Sequence, residues 1–338
     1  MRPATRALTL ACCVFLVALT GMASAQTSYS VRNLASNLSG KTQHKDPLLA
    51  NPWGLAYAPG APFWVSDEAS GWSTLYDGTG NPQSLKVIVP PSSGTGPGTP
   101  TGIVYNGSSE FKIMNWTSLF LFATLDGTIS GWSTFEPSTA LIGARQAGAV
   151  YTGLAITAKT SGNFLYAADI ANNKVDVYDG SFNLVNSFTD STIPAGFAPF
   201  GIQDIGGKVY VTYASQTGGT GGYIDIFGED GTFVKRFAQG RPLNQPWGLA
   251  VAPSNFGPMS NALLVSNNTM NGNINAYNAT TGKFLRALKN AAGKALVING
   301  LWGIEFGGGT TSNGAKNALY FTAGPSDTNG YFGVITTH

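Results

Sequence analysis

A short motif recurs six times along the chain and constrains the fold more than any other feature. Its two strictest copies are Asn51-Pro-Trp-Gly-Leu-Ala-Tyr57 and Gln245-Pro-Trp-Gly-Leu-Ala-Val251. All six copies are centred on a glycine, and these are Gly54, Gly102, Gly153, Gly201, Gly248 and Gly303. The spacings between them are 48, 51, 48, 47 and 55 residues. A period close to 50 residues, repeated six times, indicates a propeller or a solenoid.

Each repeat carries the same succession of strand patterns. An apolar strand follows the glycine, and a second strand ends in a polar residue such as Asp67. A third strand alternates, as in Lys174-Val-Asp-Val-Tyr178, and a fourth is more polar, as in Phe233-Val-Lys-Arg-Phe237. Alternation with β-branched and aromatic residues indicates β-strands. Four antiparallel strands in each of six repeats predict an all-β, six-bladed β-propeller. A parallel β-helix, the competing fold, has much shorter coils.

The two ends of the chain predict how the ring closes. Only three residues follow the third strand of the sixth repeat, Tyr331 to Ile335, so this repeat lacks an outer strand. The segment Tyr29 to Ala35 has strand character and no partner of its own. We expect this N-terminal strand to complete the sixth blade, because the pairing removes two exposed sheet edges. Residues 26–338 would then form a single propeller domain.

Residues 1–25 have the pattern of a cleaved signal peptide. Arg2 and Arg6 precede an apolar run from Leu8 to Leu19, which is too short to span a membrane. The cleavage pattern follows at Ala23-Ser-Ala25. The sequence therefore predicts export to the periplasm or the medium, and no membrane span after the signal is removed.

Composition excludes several classes of function. Both cysteines, Cys12 and Cys13, lie in the signal segment, so the mature chain can have no disulfide and no thiolate metal site. Of 19 Lys and Arg residues, Arg2 and Arg6 also lie there, which leaves 17 against 17 Asp and Glu. A neutral chain without a Lys/Arg cluster argues against binding to nucleic acid or to an anionic membrane surface. We expect a monomer.

Aromatic residues mark one face of the predicted propeller. The loop leading into the inner strand and the loop leaving the second strand open on the same face, near the central channel. The aromatic residues of the first set of loops are Trp53, Tyr151, Phe200, Trp247 and Trp302. They predict a platform on which a carbohydrate or another flat ligand stacks. The alternative is that they pack between blades.

Acids and amides at the ends of the second strands share this rim. The candidate ligands of a cation such as calcium are Asp67, Asp126, Asp169 and Asn267. Oxygen ligands from separate loops suit such a hard cation. The alternative is local turn capping, because Asp and Asn also bond nearby backbone amides. The fourth and sixth repeats place Tyr213 and Ala323 at this position, so any cation site is one-sided.

Candidate catalytic groups are few. The mature chain has two histidines, of which His338 is the last residue and His44 precedes the first repeat. His44 or Glu68 is the candidate general base if the protein is a hydrolase. The chain has no G-x-S-x-G elbow, and no glycine-rich loop is followed by a predicted helix. The first absence argues against a serine hydrolase of that type, and the second indicates that these glycine-rich loops are not phosphate-binding loops.

Several segments together carry a resemblance to a known family. They are Asn51-Pro-Trp-Gly-Leu-Ala56, Phe63-Trp-Val-Ser-Asp67, Tyr76-Asp-Gly78, Asp126-Gly-Thr-Ile-Ser-Gly-Trp132, Ala198-Pro-Phe-Gly201, Gly300-Leu-Trp302 and Ala318-Leu-Tyr-Phe-Thr-Ala-Gly-Pro325. With them the chain resembles a bacterial family of uncharacterised secreted proteins, some of which carry a C-terminal PEP-type sorting segment. More distantly it is similar to NHL-repeat and lactonase-type propellers. The resemblance implies the fold and export but no activity. Lactonase-type propellers hold calcium or a similar ion at one end of their channel, which implies such an ion at the rim that carries Asp67, Asp126, Asp169 and Asn267.

The sequence supports two functional hypotheses. The first is a binding protein without turnover, whose rim holds a carbohydrate or a partner protein. The second is a metal-dependent hydrolase of the lactonase type, with Asp67, Asp169 and Asn267 as ligands and His44 or Glu68 as base. The scarcity of histidine and the missing acids of two repeats favour the first.

Overall fold

Short strands account for nearly all regular structure in the part of the chain that is described. The computed structural model describes Met1 and residues 28–157 and 162–338, so the predicted signal segment, apart from Met1, lies outside the described residues. The one helical element in these ranges is a 3₁₀ turn, Gly257–Met259. No helix there is long and apolar enough to cross a membrane.

The repeats fold into four-stranded antiparallel blades. The strands before the first repeat are β1 (Tyr29–Ser36) and β2 (His44–Lys45). Blade one consists of β3 (Pro52–Tyr57), β4 (Phe63–Asp67), β5 (Trp72–Tyr76) and β6 (Pro82–Ile88). Blade two consists of β7 (Pro100–Tyr105), β10 (Phe120–Thr124), β11 (Thr128–Trp132) and β12 (Leu141–Arg145), and its first connection contains the hairpin β8 (Lys112–Ile113) and β9 (Trp116–Thr117).

The remaining blades follow the same order. Blade three consists of β13 (Tyr151–Thr157), β14 (Phe164–Asp169), β15 (Lys174–Tyr178) and β16 (Leu184–Phe188). Blade four consists of β17 (Phe197–Asp204), β18 (Val209–Ser215), β19 (Tyr223–Phe227) and β20 (Phe233–Gln239). Blade five consists of β21 (Pro246–Val251), β22 (Ala262–Asn267), β23 (Ile274–Asn278) and β24 (Phe284–Ala287). Blade six begins with β25 (Leu301–Phe306), β26 (Leu319–Ser326) and β27 (Asn329–Thr337). The predicted six-bladed β-propeller is confirmed.

The N-terminal strand closes the ring, as the sequence predicts. β1 pairs antiparallel with β27, from Tyr29 opposite Thr337 to Ser36 opposite Tyr331. The hydroxyl of Tyr29 donates to the carbonyl oxygen of Phe256 at 2.9 Å and accepts from the backbone N–H of Met259 at 3.0 Å. These bonds fasten the closing strand to the neighbouring blade five.

The motif glycines are required by space around the channel. A Cβ added to Gly54 would lie 2.5 Å from the carbonyl oxygen of Thr101. A Cβ added to Gly248 would lie 2.8 Å from the carbonyl oxygen of Trp302. Neither glycine has a positive φ, so the constraint is the close approach of the next inner strand. The recurring glycine therefore lets six backbones crowd around one axis.

Hydroxyl side chains join neighbouring blades at the same level. The Oγ1 of Thr322 accepts from the backbone N–H of Gly303 at 2.9 Å and donates to the carbonyl oxygen of Trp53 at 2.6 Å. Ser266 makes the equivalent pair of bonds from blade five, and its Oγ donates to the carbonyl oxygen of Trp302 at 2.6 Å. These two hydroxyl groups thus satisfy buried backbone groups of neighbouring blades.

Candidate functional site

Four of the five predicted rim aromatics meet one another at the centre of the channel. The rings of Trp53 and Trp302 stack with centroids 3.6 Å apart at 18°. Trp247 lies edge-on to Trp302 at 5.7 Å, and Phe200 is 5.6 Å from Trp302. Each of the four side chains is only 6–9% exposed. The four rings therefore pack against one another and form what we call the aromatic plug, in which only Trp53 and Trp302 stack face to face.

Tyr151, the fifth aromatic residue, lies apart from the aromatic plug. It is fully buried within an apolar cluster that spans blades two and three. Its hydroxyl donates to Oδ2 of Asp176 at 2.8 Å and lies 2.6 Å from the hydroxyl of Tyr178. Burial and these neighbours raise its pKa. Tyr151 therefore packs between blades two and three, as in the alternative interpretation of the aromatic residues.

Two of the candidate cation ligands use their oxygens locally. Asp67 is fully buried and accepts from the backbone N–H of Thr74 at 3.1 Å and from its Oγ1 at 2.7 Å. Burial raises the pKa of Asp67 well above its usual value, against the lowering effect of Thr74. Asp126 accepts from the backbone N–H of Ser92 at 2.6 Å and from Oγ1 of Thr124 at 2.5 Å. Asp67 thus bonds its neighbouring strand through Oδ2 alone, and its buried Oδ1 has no hydrogen-bond partner among the described residues. Asp126 bonds its own turn and the loop that contains Ser92.

The other two candidates do the same. Asp169 accepts from the backbone N–H of Val150 at 3.1 Å and from Nδ2 of Asn172 at 2.7 Å. Asn267 accepts from the backbone N–H of Asn244 at 2.8 Å. Within residues 28–157 and 162–338 no group of three or more His, Cys, Asp or Glu is placed to hold a metal ion. The calcium site stays a prediction. The bonds from Thr74, Thr124 and Asn172 match its turn-capping alternative, whereas those from Ser92, Val150 and Asn244 join separate loops.

The two candidate bases lie far apart in the fold. His44 lies on β2, the outermost strand of the sheet that contains blade six, so four strands separate it from the channel axis. Glu68 is half-buried beside the aromatic plug and accepts from Nδ2 of Asn51 at 2.7 Å. Asn51 in turn accepts from Nε1 of Trp302 at 3.3 Å. Burial raises the pKa of Glu68.

The opposite end of the channel is open. A cavity of about 390 Å³ lies where the inner strands end, and we call it the channel mouth. Tyr57, Tyr105 and Ile156 contribute to its wall from blades one, two and three, and Gln203 and Glu305 from blades four and six. Deeper in the channel, a narrow space of about 40 Å³ is lined by motif glycines and the residues beside them. The channel thus has one closed and one open end.

Glu305 gives the channel mouth its distinctive electrostatics. Its side chain is half-buried, and removal from water raises the pKa of its carboxyl group to about 7. A hydrogen bond with the backbone of Phe306 opposes this shift. Burial, reinforced by the charge of Glu305, raises the pKa of Tyr57 to about 12. A carboxyl group with a raised pKa in a cavity is typical of a functional site.

Comparison with known proteins gives the family of the chain. No family model matches it. Uncharacterized protein R648 of Acanthamoeba polyphaga mimivirus is 33% identical over 308 residues, which cover 84% of this chain and 75% of that protein. Uncharacterized protein L690 of the same virus is 30% identical, covering 84% and 80%. The chain belongs to the family of these proteins. Its relatives have no described activity, and the bacterial secreted family stays a prediction.

Solved structures confirm the fold of this family member. A streptogramin B lyase superposes with a TM-score of 0.56 and 13% identity, over 93% of this chain and 99% of that one. The gluconolactonase XC5397 from Xanthomonas campestris gives a TM-score of 0.56 and 14% identity, over 86% and 89%. The predicted likeness to lactonase-type propellers is confirmed at the level of the fold, which is all that such low identity supports.

The sequence interpretation did not predict the channel mouth, although the repeated motif contains a signal for it. Four of the six motif copies place Ala or Val two residues after the glycine, namely Ala56, Val104, Ala155 and Ala250. The other two copies place Gln203 and Glu305 there. Polar residues at a position that is otherwise small and apolar would have pointed to this end of the channel. The sequence interpretation instead followed the loops at the opposite face.

Proposed function

We propose that the protein is a secreted binding protein that takes a small organic ligand into the channel mouth and releases it unchanged. The observation that carries this proposal is a cavity of about 390 Å³ whose wall combines apolar side chains with Gln203 and Glu305. Ligand sites commonly have volumes of about 300–1,000 Å³, an apolar lining and a few polar groups that orient the ligand. A small carbohydrate, as expected from the aromatic residues, belongs to the size class that fits.

The channel mouth is better suited to a ligand than the opposite rim. The aromatic plug holds its rings 6–9% exposed, so they present little surface for a sugar to stack on. Tyr57 and Tyr105 in the mouth are half-buried, and each borders the cavity. These two tyrosines supply the aromatic surface that the sequence interpretation assigned to the tryptophans.

A metal-dependent hydrolase of the lactonase type is the alternative proposal. It receives support from the shared fold with a gluconolactonase. Three of its proposed ligands, Asp67, Asp126 and Asp169, accept hydrogen bonds within their own hairpins, and the fourth, Asn267, accepts one from Asn244 of the preceding loop. Binding without turnover therefore has the stronger structural support.

The proposal is tested by blocking the mouth. The experiment measures the melting temperature with a panel of sugars, polyols, amines, amino acids and organic acids. We expect at least one compound to stabilise the wild-type protein and not Ile156→Trp, because Ile156 lines the cavity and the larger side chain should occupy part of it. Val251→Trp is the matched control, because Val251 ends the inner strand of blade five, is 44% exposed and does not border the cavity.

Two results would overturn the proposal. One is that no compound stabilises the wild-type protein. The other is that every stabilising compound acts equally on Ile156→Trp, which would place its site elsewhere. Circular dichroism and the melting temperature of the ligand-free variants establish that both tryptophan variants are folded.

A further inference from the structure

Glu305 supplies negative charge to the described wall of the channel mouth. The described residues that border the cavity include no Lys, Arg or His, and Asp204, the other acid among them, has an interaction of its own. An anionic ligand would meet Glu305 without a compensating cation from these residues. The charge of the cavity therefore favours a cationic or neutral ligand.

Glu305 has no cationic partner among the described residues. Its carboxyl group is withdrawn from water, and no salt bridge within residues 28–157 and 162–338 reaches it. Carboxylates in such positions are normally paired with a cation or fully hydrogen-bonded, because removal from water penalises the charged form. A cationic ligand would supply the missing charge, and the hydrogen bond to it would be charge-assisted.

The other walls suit the organic part of such a cation. Tyr57 and Tyr105 line the same cavity, with one side of each ring packed near Phe63 and Phe120 respectively, and aromatic faces attract ammonium groups. Gln203 offers an amide oxygen that can accept an N–H. Leu55, Ile103 and Ile156 supply apolar surface for a short alkyl group.

We propose that the ligand of the channel mouth is a small organic ammonium ion, bound by the carboxylate of Glu305 and the rings of Tyr57 and Tyr105. This inference rests on the proposed function, since it names the ligand class of the same site. A carbohydrate and other neutral molecules are the competing ligands, and they become outcomes of the test.

Matched pairs of probes separate charge from shape. Choline is compared with 3,3-dimethylbutan-1-ol, its neutral carbon analogue, and butylammonium with butan-1-ol. Isothermal titration calorimetry at pH 8 gives each dissociation constant for the full chain. We expect at least one cation to bind tenfold or more tightly than its neutral partner.

Variants then assign the effect to the mouth. Glu305→Gln should weaken binding of that cation at least tenfold and leave the neutral partner unchanged. Tyr57→Leu should also weaken the cation, and it provides a second test if Glu305→Gln is poorly folded. Glu136→Gln is the control, because it removes the same charge from a loop that does not border the cavity, and it should bind as the wild type does.

The possible failures are distinguishable. Equal binding of cations and alcohols, or undiminished cation binding by both Glu305→Gln and Tyr57→Leu, would overturn the ammonium assignment. If neither cation binds while a neutral compound of the wider panel protects the wild type and not Ile156→Trp, the assignment fails and the proposed function stands. If no compound acts through the mouth, both fail.

Discussion

The indole of Trp53 stacks on the indole of Trp302, with ring centroids 3.6 Å apart. The first residue belongs to the first repeat and the second to the last, so the contact joins blades one and six at the channel axis. The side-chain hydroxyl of Thr322 also joins these two blades, because it donates to the backbone carbonyl oxygen of Trp53 at 2.6 Å. The aromatic plug therefore helps to close the ring as well as one end of the channel.

The first prediction concerns this plug. Trp302→Ala should lower the free energy of unfolding by about 3–5 kcal/mol, because it leaves a large cavity among Trp53, Phe200 and Trp247. Trp116→Ala is the control, since Trp116 is 49% exposed and stacks on Phe135 at the surface. Urea unfolding measures both. Equal losses for the two variants would show that the plug has no special role.

Removal of the closing strand tests the ring itself. Deleting Tyr29 to Ala35 should lower the melting temperature severely, because β27 loses one of its two antiparallel partners, β1, and Phe256 and Met259 lose the Tyr29 hydroxyl. A chain that begins at residue 28 is the control, and its melting temperature should equal that of the full-length protein. A deletion variant that keeps the parent's melting temperature would contradict the observed closure.

Substitution of a motif glycine tests the crowding of the inner strands. Gly54→Ala should destabilise the protein by about 1–3 kcal/mol, because the new methyl group would press on the carbonyl oxygen of Thr101. Gly107→Ala is the matched control. Its φ is not positive and its nearest neighbour, Tyr105, would be 3.4 Å away. Chemical unfolding should show little change in the free energy of unfolding for the control. An equally small change for Gly54→Ala would contradict the explanation from crowded inner strands.

Calcium separates the two functions proposed for the acids. If Asp169 only caps its turn, calcium should leave the melting temperature unchanged, and Asp169→Ala should cost about 1 kcal/mol through its bonds to Val150 and Asn172. We expect this outcome. A bound cation at a hundredfold excess over Kd would instead stabilise the protein by about 2.7 kcal/mol. A calcium-dependent shift that Asp169→Asn abolishes would favour the hydrolase and justify assays on a panel of lactones.

The raised pKa of Glu305 predicts how stability depends on pH. Because the folded-state pKa of about 7 lies above the ordinary value of 4.5, the folded protein binds this proton more tightly than the unfolded chain does. Stability from this group is present below pH 4.5 and is lost as the pH rises towards 7. The free energy of unfolding should therefore fall between pH 5 and pH 8, and Glu305→Gln should reduce that fall by about 2 kcal/mol, after allowance for solvent screening.

The measurement is urea unfolding at the two pH values. Burial also raises the pKa of Asp67 and of Asp225, so the wild-type protein should be more stable at pH 5 for several reasons. The test is the difference between the two proteins, which isolates Glu305. Equal pH dependence in both would show that Glu305 is as well solvated as in the unfolded chain.

The amino-acid sequence by itself determined the number of blades and the closure of the ring. Both follow from signals that are local in the chain. The spacing of glycines such as Gly54 and Gly102 counts the blades, and alternating residues in segments such as Lys174–Tyr178 mark the strands. The unpaired strand patterns at the two ends of the chain, Tyr29 to Ala35 and Tyr331 to Ile335, then have only each other as partners.

Only the tertiary structure decided which end of the channel is open. The ring of Trp53 can face either a bound ligand or the ring of Trp302. Which of the two it faces depends on the distance across the axis between residues far apart in sequence, and no local pattern reports that distance. The same holds for Glu305, whose carboxyl group acquires its raised pKa because residues of other blades remove it from water. Strand patterns depend on neighbours along the chain, whereas packing and desolvation depend on neighbours in space.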